Sequence, residues 1–199
     1  MAVTVGSRLG PYEILAPIGA AEALMARSAQ GAWTLNPSPD GKRFVYEDMV
    51  NGVQQLFAFD LVTRKASRLT DSPGDKFDAI HSPDGRWIAV TAIKDGVSQI
   101  FRMPAAGGPM QQLTTGYERM RHAFFSPDGK WIYIQPSHRN IYRVPAGGGP
   151  LEQVTRFPEA GLFLEEPTIS PDGHYLYYCR SNGGSSLWLM TLEDQGRRP

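Results

Sequence analysis

Apolar and polar positions along this chain follow one pattern four times. A polar turn is followed by a short apolar run: Phe44-Val45-Tyr46, Trp87-Ile88-Ala89-Val90, Trp131-Ile132-Tyr133-Ile134 and Tyr175-Leu176-Tyr177-Tyr178. A second run comes next: Gln55-Leu56-Phe57-Ala58-Phe59, Gln99-Ile100-Phe101-Arg102-Met103, Asn140-Ile141-Tyr142-Arg143-Val144 and Ser186-Leu187-Trp188-Leu189-Met190. These runs are β-branched and aromatic and too short for helices, so they predict strands. Arg68-Leu69-Thr70, Gln112-Leu113-Thr114 and Gln153-Val154-Thr155 close three of the units, and a further short segment around Trp33, Phe77, Arg121 and Glu165 opens each one.

The turns set the period. Ser-Pro-Asp-Gly stands at 38–41, 82–85, 126–129 and 170–173, each copy 44 residues after the last. A four-stranded unit repeating at about 40–45 residues selects a propeller over a sandwich or barrel. The expected fold is all-β, a β-propeller of four four-stranded antiparallel blades. Residues 23–199 form it, and 1–22 form an N-terminal tail. In the tetrapeptide Pro presets φ, Asp suits the next position and Gly takes the left-handed one. Asp40, Gly41, Asp84, Gly85, Asp128, Gly129, Asp172 and Gly173 therefore read as turn residues rather than as a catalytic acid set. The fourth unit has no Leu-Thr segment. Leu69 and Leu113 each lie 13 residues before the next Ser-Pro-Asp-Gly, and the same count back from Ser38 reaches Met25. Residues 23–26 are the candidate outer strand of the fourth blade, closing the ring. A closed ring predicts a monomer, and an open fragment predicts self-association.

The order Leu-Thr, spacer, Ser-Pro-Asp-Gly, apolar strand, then Ile-Phe-Arg-Met or Ile-Tyr-Arg-Val resembles the TolB-like β-propeller repeat, a relative of the WD-type repeats. The resemblance covers residues 32–192. Residues 7–20, Ser-Arg-Leu-Gly-Pro-Tyr-Glu-Ile-Leu-Ala-Pro-Ile-Gly-Ala, resemble the opening strand of bacterial serine/threonine protein kinases. Gly19 matches the first glycine of the phosphate loop, but Ala21 and Leu24 stand where the others belong. No Val-Ala-Ile-Lys strand follows. His138-Arg139-Asn140 is similar to the start of a catalytic loop, but Asn140 cannot act as the base. Kinase activity is excluded, and the segment reads as the remnant of a kinase–propeller fusion.

Composition narrows the partners. Lys plus Arg and Asp plus Glu are 20 each, a net charge of zero, which argues against nucleic acid and polybasic membrane attachment. Gly at 21 and Pro at 16 of 199 residues exceed the usual roughly 12 % combined, which suits a turn-rich β fold. A single cysteine, Cys179, allows no internal disulfide and reads as a small strand residue. No apolar run is long enough for a transmembrane helix, and the first residues do not read as a signal peptide. The expected location is cytoplasmic by default, whereas the resemblance implies a family often found in the periplasm.

Candidate chemistry lies at the channel. The aligned positions four residues before each turn serine are Thr34, Asp78, His122 and Glu166. Pointing inward, they form a polar ring that can orient a small polar ligand or hold a cation such as calcium. A water-lined channel with nothing bound is the simpler expectation, so no cofactor is expected. There is no Gly-x-Ser-x-Gly, which argues against a serine hydrolase. His81 reads as packed, and His138 and His174 as solvated turn residues. Trp87, Trp131 and Tyr175 align as packing positions. The loop 157–166 offers Leu162 and Phe163 as a candidate partner anchor. The expected function is a non-catalytic interaction module for a protein or peptide. The alternatives are a channel-centred small-ligand or calcium-binding propeller, hydrolase-like in character, and a sensor fragment of a kinase–propeller fusion.

Overall fold

The structure is a computed structural model that describes residues 8–9, 12–13, 33–116, 119–157, 163–181 and 184–192. A minimal hairpin pairs β1 (Arg8–Leu9) with β2 (Tyr12–Glu13). Blade one is β3 (Trp33–Pro37), β4 (Arg43–Val50), β5 (Val53–Asp60) and β6 (Lys65–Arg68). Blade two is β7 (Lys76–His81), β8 (Trp87–Lys94), β9 (Val97–Pro104) and β10 (Gln111–Gln112). Blade three is β11 (Phe124–Phe125), β12 (Trp131–Ile134), β13 (Tyr142–Pro145) and β14 (Glu152–Gln153). Blade four shows β15 (Phe163–Ile169), β16 (Tyr175–Ser181) and β17 (Ser185–Thr191). Every sheet runs in chain order with antiparallel neighbours. The architecture is therefore a four-blade β-propeller array. Among the described residues blade four has three strands, and residues 23–26 lie outside the described part.

The turns are closed hydrogen-bond units. In blade two the Ser82 hydroxyl donates to Asp84 Oδ1 at 2.5 Å, that oxygen accepts the Arg86 N–H at 3.0 Å, and Ser82 Oγ accepts the Trp87 N–H at 3.0 Å. The other three turns repeat these contacts. Gly85 takes φ +69°, a value that L side chains resist. The serine hydroxyl, foremost, and the backbone N–H hold all four aspartates below the usual carboxylate range.

Polar latches tie the outer strands. Thr114 Oγ1 donates to Gln99 Oε1 at 2.7 Å and accepts the Ile100 N–H at 2.9 Å. Thr70 makes the same pair with Gln55 and Leu56, and Thr155 with Asn140 and Ile141. This is the physical meaning of the recurrent Leu-Thr: the threonine satisfies a buried backbone donor where the ladder ends.

The core is divided among the seams between blades. Val45 and Leu56 of blade one pack with Ala79, Ile88, Val90, Phe101 and Met103 of blade two. Ala89 and Ile100 of blade two pack with Ala123, Phe125, Ile132 and Ile134 of blade three. Tyr133 and Ile141 of blade three pack with Leu164, Leu176 and Tyr178 of blade four. Leu56, Ile100 and Ile141 occupy one repeat position and are all 0 % exposed. The turns join in. An added Cβ at Gly85, Gly129 or Gly173 would meet the proline of the preceding blade's turn, Pro39, Pro83 or Pro127, at 3.6–3.8 Å. On the outer rim Arg102 lies 4.0 Å from the Trp87 ring centre, and Arg143 lies 4.1 Å from that of Trp131.

Two substitutions test this division of labour. Ile100→Ala opens a seam cavity and lowers stability by about 3 kcal/mol. Thr114→Val keeps the shape but strands the Ile100 N–H and the Gln99 carbonyl, at about 1–2 kcal/mol. Urea denaturation followed by far-UV circular dichroism reads both.

Candidate functional site

The inner strands of three blades share an irregularity. Register shifts fall between Trp33 and Asn36, Phe77 and Ile80, and Glu165 and Thr168. Thr34, Asp78 and Glu166 sit inside these bulges at φ 36°, 53° and 48°, and His122 takes φ 49° just before β11. A β-branched or charged residue in the left-handed region costs about 1 kcal/mol or more, so the surrounding ladder imposes the conformation. It also shortens β11. Arg121, expected on a strand, precedes β11, and its carbonyl takes the Gln135 N–H at 3.0 Å.

The four side chains, held on one backbone conformation, come together. Thr34, Asp78, His122 and Glu166 line one cavity of about 200 Å³ together with Ile80, Ala123, Phe124 and Pro167. Asp78 and His122 are half-buried, and Thr34 and Glu166 are exposed. The His122 ring meets His138 edge-on, 5.4 Å between centres. His138 thus stands beside the mouth, at the end of a 3-10 turn over Pro136–His138. Among the described residues no group of three or more His, Cys, Asp or Glu is placed to hold a metal ion.

A buried carboxyl backs the mouth. Glu47 on β4 is 1 % exposed, and its Oε1 accepts the Ala79 N–H of the next blade at 3.5 Å. Burial pushes its pKa up to about 7 and the Asp78 charge adds to this, against hydrogen bonds from Ala79, Thr34 and Asp78. The repeat places Thr91, Gln135 and Cys179 at the same position. Gln135 reaches the Leu164 carbonyl at 2.6 Å, so it also bridges to the following blade. Sequence reasoning passed over Glu47. Its signal is a carboxylate inside an apolar strand, at a register position that is uncharged in the other units.

The remaining candidates separate from the mouth. His81 is half-buried, and the Asn36 Oδ1 of blade one meets its N–H at 2.9 Å and its Nδ1 at 3.2 Å. Burial draws its pKa below the usual value. His174 is exposed in its turn, and Cys179 is partly buried on β16. Phe163 begins strand β15 rather than lying in a loop, and it is 52 % exposed while Leu164 beside it is fully buried. Leu162 lies outside the described residues.

Antiparallel blades on one period, packed face to face around a polar mouth, define a β-propeller. The chain belongs to the TolB beta propeller domain family, whose model matches residues 24–199. Among solved structures it is similar to TolB from Acinetobacter baumannii, at 28 % identity and TM-score 0.64 over 79 % of this chain and 40 % of that one. It is also similar to a putative TolB from Agrobacterium tumefaciens, at 25 % identity and TM-score 0.65 over 78 % of this chain and 60 % of that one. A chain from a structural and mechanistic analysis of two prolyl endopeptidases shares the fold alone, at 15 % identity and TM-score 0.63 over 83 % of this chain and 27 % of that one. This chain thus spans 40 % and 60 % of the two TolB structures. No curated protein matches it. Among the described residues no helix is long and apolar enough to cross a membrane.

Glu47 makes stability depend on pH. Its folded pKa of about 7 lies above the ordinary value of 4.5, so its contribution is complete below 4.5 and is lost as pH rises through 7. Glu47→Gln should match the parent near pH 4.5 and exceed it at pH 8 by about 3 kcal/mol. Thermal melts across this range check the crossover.

Proposed function

We propose that this chain is a non-catalytic interaction module, and that a protein or peptide partner docks at the mouth with a basic side chain in the cavity. The observation that carries this reading is the convergence of Asp78 and Glu166 with Thr34 and His122 around a space of about 200 Å³. That space is smaller than the roughly 300–1,000 Å³ of ordinary small-molecule pockets, and it suits one inserted side chain. Two carboxylates favour a cation, and the exposed rim leaves room for the rest of a peptide. The backbone at these positions is the same in every blade while the side chains differ, which separates scaffold from recognition.

Short synthetic peptides with a central Lys or Arg should bind more tightly than their Ala counterparts in isothermal titration calorimetry. The double variant Asp78→Asn, Glu166→Gln should weaken binding about tenfold, the equivalent of about 1.4 kcal/mol. Equal binding of all peptides, or none, would sink the proposal. A thermal shift with calcium, removed by Asp78→Ala, would favour a cation site instead.

A further inference from the structure

The first seam differs from the second at its turn end. In the second seam Trp87 packs against the blade-three cluster, Arg102 lies 4.0 Å over its ring, and Phe125 is 8 % exposed. One repeat earlier these three positions carry Arg43, Ala58 and His81. The register agrees, since β4 pairs Val45 with Ala58 as β8 pairs Ala89 with Arg102. A guanidinium and an imidazole thus replace an indole and a phenyl ring, and a methyl group replaces the arginine that covers the indole.

The exchange leaves space. A groove of about 570 Å³ lies between blades one and two, lined by Arg43 and Ala58 on one bank and by His81, Arg86 and Ala105 on the other. That size falls within the roughly 300–1,000 Å³ of small-molecule pockets. The third seam also opens at this end, but beside Leu192, where the described residues stop, and there Arg143 still covers Trp131. Asp40 and Asp84, both exposed, line the first groove too. Their Oδ1 atoms accept the turn hydrogen bonds, and their Oδ2 atoms lie outside those bonds. Arg43 meets Asp60 at 4.0 Å with 52 % of its side chain exposed, and such an ion pair holds it weakly. His81 is anchored through its N–H and Nδ1 to the Asn36 side chain. The groove therefore presents both signs of charge above small apolar residues.

We propose that this groove binds a free aromatic amino acid. The ring lies over Ala58, in the place that Arg102 takes in blade two, and stacks on the Arg43 guanidinium. Blades two and three show the same stack with the arginine and the ring exchanged. The ammonium meets the Asp40 and Asp84 carboxylates, and the carboxylate meets Arg86. A zwitterion answers both signs of charge, which an anion or a cation alone does not. This inference goes beyond the channel-mouth reading and does not depend on it.

Isothermal titration calorimetry on the full chain tests it with L-phenylalanine. L-Alanine lacks the ring, hydrocinnamate the ammonium and phenethylamine the carboxylate, and each should bind at least about tenfold more weakly. Arg43→Trp combined with Ala58→Arg installs the blade-two pair and should abolish binding. Arg43→Met leaves the groove open and should weaken binding about tenfold by removing the stack. Both variants should keep the parent's circular dichroism. The channel-mouth pair Asp78→Asn, Glu166→Gln should bind L-phenylalanine as the parent does. No binding of L-phenylalanine at millimolar concentration overturns the inference, as does binding that survives both groove variants. Loss in the channel-mouth pair overturns it by placing the ligand at the mouth. Equal binding of the uncharged N-acetyl-phenylalanine amide overturns it in favour of an aromatic side chain within a peptide.

Discussion

Every blade in this chain is apolar on both faces, so the seam between blades is the interaction on which the rest depends. A single sheet of this composition leaves Leu56 or Ile100 in water. Laid against the next sheet, each is fully buried, and the seams carry separate apolar clusters instead of one central core. Stability in such an array is a sum over neighbours. The ends consequently differ from the middle for a reason unrelated to residue type. A leucine at 56 and a leucine at 187 hold the same place in the repeat and meet opposite surroundings.

Polar chemistry divides along the same lines. The turn aspartates are engaged by serine hydroxyls and backbone N–H groups, and the threonine latches finish the ladders. These groups recur because the backbone of each blade requires them. The mouth is different. Thr34, Asp78, His122 and Glu166 share one backbone conformation but no chemistry. The fold holds the position, and the side chain there is free to vary.

Buried polar groups at repeat positions mark where individual blades depart from the pattern. Lys76 is 0 % exposed at a place where blades three and four carry Met120 and Leu164. Its ammonium donates to the Gly74 carbonyl at 2.7 Å, the Pro73 carbonyl at 3.0 Å and the Ser72 carbonyl. Burial lowers its pKa, and the carbonyls supply the partners a buried cation needs. Glu47 and the Asn36–His81 pair similarly carry polar contacts across the first seam.

The sequence by itself determined what is local and repeated. The 44-residue spacing, the alternation within each strand and the turn chemistry are set by neighbours in the chain, so the blades and their turns were legible without coordinates. Aligning the copies also picked out the four mouth residues, because a repeat imposes one backbone on all of them. What stayed hidden depends on contacts between blades. The bulge that turns Thr34, Asp78 and Glu166 follows from a register shift that no single strand encodes. Phe163 read as part of a loop because the segment after Thr155 is three residues longer than in the earlier units, yet pairing with Ser181 draws it into β15. Glu47 and Lys76 stand out in the sequence only as charges within strands, and that says nothing of the carbonyls or amides a neighbouring segment brings to them. Only the tertiary structure decided which copies of one apolar position are core and which are surface, since burial belongs to the neighbouring blade and not to the residue.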